Sequence, residues 1–221
     1  MQTYTHYVMT AVLNRQLKHR GAKGAHLHHH ANESEERRLP PLASRWLMIG
    51  SIMPDIPLIL LSVGAMILDL LAGNRMDPGN EHEAIHSYTG YLFRVAFFHD
   101  PWVQTAHNLF HAPFLIILYV AVGYWAWRQG RRWGAGLFWF GLACALHTAV
   151  DIPLHHDDGP LVFFPFDWQT RFMSPVSYWD PRYHGRPFAI FEHLLLLGML
   201  FYLAVTWWQQ RRKRTVTSVT E

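Results

Sequence analysis

The segment Ala145-Leu-His147-Thr-Ala-Val-Asp151 carries a histidine and an aspartate four positions apart. On an α-helix such residues share one face. An imidazole and a carboxylate so placed can grip one metal ion. Pro153 then ends the helix, and the chain continues Leu154-His155-His156-Asp157-Asp158-Gly159. His155, His156, Asp157 and Asp158 therefore follow at the mouth of the same helix as further ligands or proton acceptors. The bland alternative is a solvated, hydrogen-bonded His and Asp at a membrane edge; the density of ligand types favours metal or catalytic use.

Other candidates are more ambiguous. His107 and His111 repeat the i,i+4 spacing, and His111 enters an apolar run, so it is the better inward-facing member. Each reads equally well as a ligand or as a helix-cap or interfacial group. Glu192, beside His193, can ligate, act as a base, or orient a ligating histidine. Asp55 stands with Pro54 and Pro57 inside an apolar stretch, where a carboxylate reads as functional by default. Glu81-His82-Glu83-x-x-His86 has helical ligand spacing but lies in a polar loop, where solvation is the simpler account. His6, in the short apolar run Tyr4–Met9, reads by itself as a satisfied or exposed histidine. The single cysteine, Cys144, reads as a small buried residue and excludes an internal disulfide framework and a Cys-rich zinc finger. Any metal site must use histidine and carboxylate.

The elements that must position these groups are apolar. Only 16% of the 221 residues are charged, against roughly 25% in ordinary soluble proteins, and the chain holds 16 His. The mean hydropathy of -0.01 averages over strongly clustered apolar residues. Four stretches stand out: Trp46–Leu71, Phe110–Trp127, Trp133–Val150 and Phe188–Trp208. A bilayer span needs ~20 predominantly apolar residues, and tryptophans mark several of the ends, as in an aromatic belt. The first stretch, interrupted by its prolines, reads as one kinked span or as a short helix followed by a second. The expected fold is an all-α, polytopic membrane bundle of about four spans in one domain, 1–221. Its N-terminal segment and polar loop cover 1–45, the bundle 46–208, and a basic, disordered tail 209–221.

The basic link Arg128–Arg132 and the tail Arg211–Arg214 fall on one side of the bundle, the cytoplasmic side by the positive-inside rule. His111, His147, Asp151 and Glu192 then lie on the other side, the periplasm in a bacterium. Residues 1–17 lack a continuous apolar core and a small-residue cleavage site, so no secretory signal is expected. Residues 18–45, with His26 and His28-His29-His30, read as a solvated loop. The net charge of +3 is modest and its clusters follow from topology, so no nucleic-acid partner is expected. The loop Gly159–Pro187 is rich in aromatics and prolines, too apolar to float in water, and is expected to pack on helix ends as a lid over the His/Asp group.

Thr5-His6, Met53-Pro54-Asp55, His147-x-x-x-Asp151, Pro153-Leu-His-His-Asp-Asp-Gly159 and Ser174-Pro-Val-Ser-Tyr-Trp-Asp180 occur in that order. This pattern resembles a group of small bacterial inner-membrane proteins related to the membrane-bound metal-dependent hydrolase family. Pro54-Asp55-Ile56 matches that family's Leu-Pro-Asp-Ile-Asp motif, with Pro57 where the second Asp stands. His107–Ala112 matches its His-Arg-x-x-Thr-His-Ser motif loosely. His147, Asp151 and Phe164-Pro165 match its His-x-x-x-Asp and aromatic-Pro segments. The resemblance implies a metal site shared by His6, Asp55, His147 and Asp151 with His107 or His111.

Three functions follow. The leading one is a membrane-embedded, metal-dependent hydrolase with a divalent metal, zinc by its mixed ligands. It would act on an ester or phosphoester of a lipid-linked substrate at the bilayer surface. Asp157, Asp158, Glu192 or the histidines His155 and His156 would supply the base or a second ligand. The others are a non-catalytic metal-binding membrane protein and a small transporter, which Asp55 and Asp69 keep open.

Overall fold

The structure, a computed structural model, describes residues 1–27, 39–74 and 86–217. Among the described residues every regular element is helical, and the one strand-like pairing is the isolated bridge between Leu161 and Arg171. In chain order the helices are α1 (Thr3–Leu27), α2 (Ser44–Gly50), α3 (Ile56–Ala72), α4 (Tyr88–Tyr91), a π-helical turn (Leu92–Ala96), α5 (Phe97–His99), α6 (Pro101–Asn108), α7 (Pro113–Arg128), α8 (Gly134–Asp151) and α9 (Gly185–Thr217).

Two helical segments are long and apolar enough to cross a membrane, Gly134–Leu154 with 21 residues and Gly185–Arg212 with 28. A third exists if α6 and α7, bent by 46°, form one span. The structure thus supports two to three spans where about four were expected, and proline is the reason. Pro54 lacks the amide that would continue α2, and Pro57, at the second position of α3, suits a helix start. The first apolar stretch is therefore a short helix followed by a second one, and α3, at 17 residues, sits at the lower limit for a span. Pro113 likewise opens α7, so His107 belongs to α6 and His111 to the turn between the two helices.

Helix α8 is the centre of the fold. Leu47 of α2 packs with Phe138, Trp139 and Ala143 on one side of α8. Ile116 of α7 packs with Phe140 and Cys144 on another. Small residues let the backbones approach closely, as is common between membrane helices. A Cβ on Gly123 would collide with the Phe138 backbone, one on Gly134 with Trp127, and one on Gly50 with the Phe140 carbonyl. Cys144 is buried, with its Sγ 3.4 Å from the Gly50 carbonyl.

By contrast, α9 leaves Leu194, Leu197 and Phe201 exposed, the residues of an apolar outer face.

Helix α1 packs against α9 and α2. It runs to Leu27, so residues 18–27, expected in a loop, are helical. The histidines 28–30 and the Glu81-His82-Glu83 group lie outside the described residues. Residues 209–217, expected to be disordered, continue α9 as helix. Asp69, at the end of α3, has a local structural role. Its carboxylate accepts hydrogen bonds from the Tyr88 and Thr89 amides at 2.7 and 2.9 Å and from Asn74 Nδ2 at 3.0 Å, so it caps α4.

Replacing Gly123 with alanine drives a methyl group into backbone and is expected to cost about 1–3 kcal/mol. Gly64, which faces open space on α3, provides the control. Gly64→Ala should be neutral or stabilising by up to about 1 kcal/mol. Thermal unfolding of the two variants in detergent checks the contrast.

Candidate metal centre

Four polar side chains meet at one end of α8. His147 and Asp151 come from its last turns, Asp55 stands at the N-cap position of α3, and His111 comes from the turn before α7. His147 Nε2 lies 3.0 Å from Asp151 Oδ2 and 3.3 Å from Asp55 Oδ1. His111 Nε2 lies 3.7 Å from each of the same two oxygens. Ligands at the usual zinc bond lengths in a tetrahedron are ~3.3 Å apart, and these four separations bracket that value. All four ligand atoms lie within 4.8 Å of one another, so this buried group could hold a metal ion.

The hydrogen bonds around the two imidazoles determine which nitrogen faces the cluster. His147 Nδ1 is 2.8 Å from the Ser51 carbonyl, and His111 Nδ1 is 3.0 Å from the His107 carbonyl. A carbonyl only accepts, so both Nδ1 atoms carry hydrogen and donate. Each neutral ring then presents its Nε2 lone pair to the carboxylates, the arrangement typical of metal-bound histidine. His147 Nε2 is buried and makes no geometrically satisfactory hydrogen bond. Lone pairs of nitrogen and oxygen facing each other in an apolar interior need a proton or a cation between them, and the donor set fits a divalent cation.

The supporting shell is local and specific. The break at Pro54 leaves Asp55 without a side-chain capping bond, so its carboxylate is free to face the cluster. Thr3 Oγ1 donates to Asp55 Oδ2 at 2.5 Å. Thr148 Oγ1 donates to the His111 carbonyl at 3.1 Å, and Asn108 Oδ1 accepts from the Leu161 amide at 2.7 Å, which ties the turn to α8 and to the following loop. Thr3, Ser51 and Thr148 were not singled out by sequence; a hydroxyl or a backbone carbonyl in this role has no spacing signal.

His6 is buried beside the four. Its Nε2 is 2.8 Å from Asp151 Oδ1 and its ring stacks on His147 at 3.7 Å. It therefore holds the outer oxygen of Asp151 while the inner oxygen faces the histidines. The Met1 amino nitrogen is also 2.9 Å from Asp151 Oδ1. Glu192 is buried on α9, and its Oε1 accepts from the Gln2 amide at 2.8 Å. It anchors the start of the helix that carries His6 and is not in the four-residue group.

The loop residues separate. His155 Nδ1 is 3.1 Å from Asp158 Oδ1, and the Trp179 indole donates to Asp158 Oδ2 at 2.7 Å. Burial alone raises the Asp158 carboxyl, but the His155 imidazole beside it and the indole bond outweigh it and hold the carboxyl below its usual range. His156 points elsewhere, with Nδ1 2.5 Å from the Ser174 carbonyl and its ring stacked on Tyr183 at 3.5 Å. Asp157 is exposed. Asp55, His111 and Asp151 open onto a cavity of about 680 Å³, which His107, His155, Asp157 and Asp158 also line. His107 is buried with both ring nitrogens unpartnered and is not in the four-residue group, whereas His111, the better inward-facing member by sequence, is.

Elemental analysis of the detergent-purified protein should find metal that His147→Ala and Asp151→Ala reduce at least tenfold. His156→Ala should retain it, and His6→Ala should weaken affinity by about 10–100-fold, as loss of a ligand-orienting partner does. No family model matches this chain, and neither a curated protein nor a solved structure matches it.

Proposed function

We propose that the chain is a membrane-embedded, metal-dependent hydrolase acting on an ester or phosphoester. The observation that carries this reading is that the His/Asp cluster opens on one side to the 680 Å³ cavity instead of being sealed in protein. Catalytic metal sites keep access for substrate and water, whereas structural ones are closed. The resemblance to membrane-bound metal-dependent hydrolases supports the same reading.

His111, His147, Asp55 and Asp151 would hold the ion, and zinc suits two imidazoles and two carboxylates. The cation would supply a Lewis acid that polarises the scissile carbonyl or phosphoryl group and makes water a better nucleophile. The chain's own residues provide the rest. His6 and Thr3 orient the two carboxylates, and the His155–Asp158 pair is placed along the cavity to take a proton from the attacking water. Asp158 Oδ1, 3.1 Å from the imidazole Nδ1, would orient the ring through its charge, as the carboxylate of a dyad does. Asp157 lies free on the same wall, and Glu192 acts on the position of α1.

The location proposed with this function is a bacterial inner membrane. The link Arg128–Arg132 lies at the far end of α7 and α8 from the cluster, so a cytoplasmic link puts the site on the periplasmic side. A second reading, a non-catalytic metal protein, is favoured by the presence of four protein donors, the number that a closed structural site uses.

Turnover of ester and phosphoester substrates with and without chelator separates the two readings. The hydrolase reading expects chelator-sensitive turnover, restored by Zn²⁺. His155→Ala should keep the metal and lower kcat by about 10²–10⁴-fold. Metal-loaded protein without turnover on either substrate class would establish the non-catalytic reading.

A further inference from the structure

The cavity at the cluster has two chemically different sides. Leu58, Ile59 and Val63 of α3 line one wall together with Asp55, and Phe93 and Phe97 face the same space. Asp55, Ile59 and Ser62 lie at spacings of four and three, along one face of α3. Between Asp55 and Val63 the helix rises ~12 Å, so an apolar trough runs from the candidate ligand Asp55 along α3. The other faces of α3 are also apolar and exposed, with Leu60 at 66% and Leu70 at 80%. The trough is therefore cut into an element whose remaining surface suits lipid. The polar side holds the carboxylates Asp157, Asp158 and Asp180 and two guanidiniums: Arg182 is paired with Asp180 at 2.7 Å, whereas Arg94, exposed at the cavity wall, makes no hydrogen bond or ion pair with any described residue. A guanidinium beside a divalent cation is a strong place for phosphate.

From this juxtaposition we infer that the site takes a lipid phosphoester, with its phosphate between the metal cluster and Arg94 and its chain along Leu58, Ile59 and Val63. This substrate class rests on the hydrolase reading above and deepens it. A small soluble ester would leave the trough unfilled, and a lipid without an anionic group would leave Arg94 unmatched. In the reaction a water oxygen bonds to phosphorus and the P–O bond to the lipid alcohol breaks. One water proton ends on the departing alcohol oxygen, and there is no redox change.

The test uses the full chain in nanodiscs loaded with Zn²⁺. Binding and phosphate release are measured for butyl, octyl and dodecyl phosphate, and then for phosphatidic acid and farnesyl phosphate, which distinguish a glycerolipid from an isoprenoid source. Affinity should rise at least tenfold from butyl to dodecyl phosphate. Arg94→Ala, at an exposed position, should weaken dodecyl phosphate binding about tenfold, and Val63→Trp should remove most of the chain-length dependence. Ile67→Trp, on α3 but outside the cavity lining, should change neither. Binding without phosphate release, with these variant effects, would uphold the lipid phosphate site and remove the hydrolase reading. Affinity independent of chain length, or unaltered in Arg94→Ala, would overturn the inference while leaving hydrolysis of soluble phosphoesters to stand by itself.

Discussion

Two carboxylates, Asp55 and Asp151, face the same two imidazole nitrogens across 3.0–3.7 Å in a largely buried place. Like charges within 4.8 Å of each other, and lone pairs opposed at these distances, repel strongly where water does not screen them. A positive charge between them turns that repulsion into binding. Much of the surrounding structure serves this one constraint. The Ser51 and His107 carbonyls dictate which nitrogen of each ring points inward, and Thr3 and His6 hold the outer oxygens of the two carboxylates. An interior so arranged is matched to a cation by its donors and by their spacing together.

Packing explains how residues from three separate parts of the chain reach one point. Helix α8 carries two of the four residues and is gripped by α2 and α7 through glycines that allow backbone contact. Both neighbours deliver a third and fourth residue at their ends. The break after α2 presents Asp55, and the turn before α7 presents His111. Pro54, Pro57 and Pro113 shorten potential spans, and each break also puts a polar side chain at the mouth of an apolar helix. The cost in spanning length is thus coupled to the construction of the site.

The helical class, the placement of most apolar helices and the His147/Asp151 pair were legible because helix periodicity and hydrophobicity are local properties. The number of spans was not, since a proline inside an apolar run is compatible with a kink, a bend or a full break. The two adjacent histidines of the loop show the same limit. His155 lines the cavity and pairs with Asp158, while His156 turns away to Ser174 and Tyr183. Nothing in their sequence neighbourhood separates them, because the direction of a loop side chain is decided by what packs on it. Glu192 was expected near the chemistry, and the structure puts it against the start of α1.

By itself the sequence determined the chemical vocabulary of the protein. With one cysteine and 16 histidines, any metal chemistry had to be imidazole and carboxylate, and the four-residue spacing put one of each on a single helical face. Only the tertiary structure decided the membership of the site. Asp55 and His111 are far from His147 along the chain, and His6 is farther still. Their convergence depends on how α1, α2 and α7 pack around α8. That selection is made by long-range packing and by backbone carbonyls, neither of which leaves a mark in residue spacing.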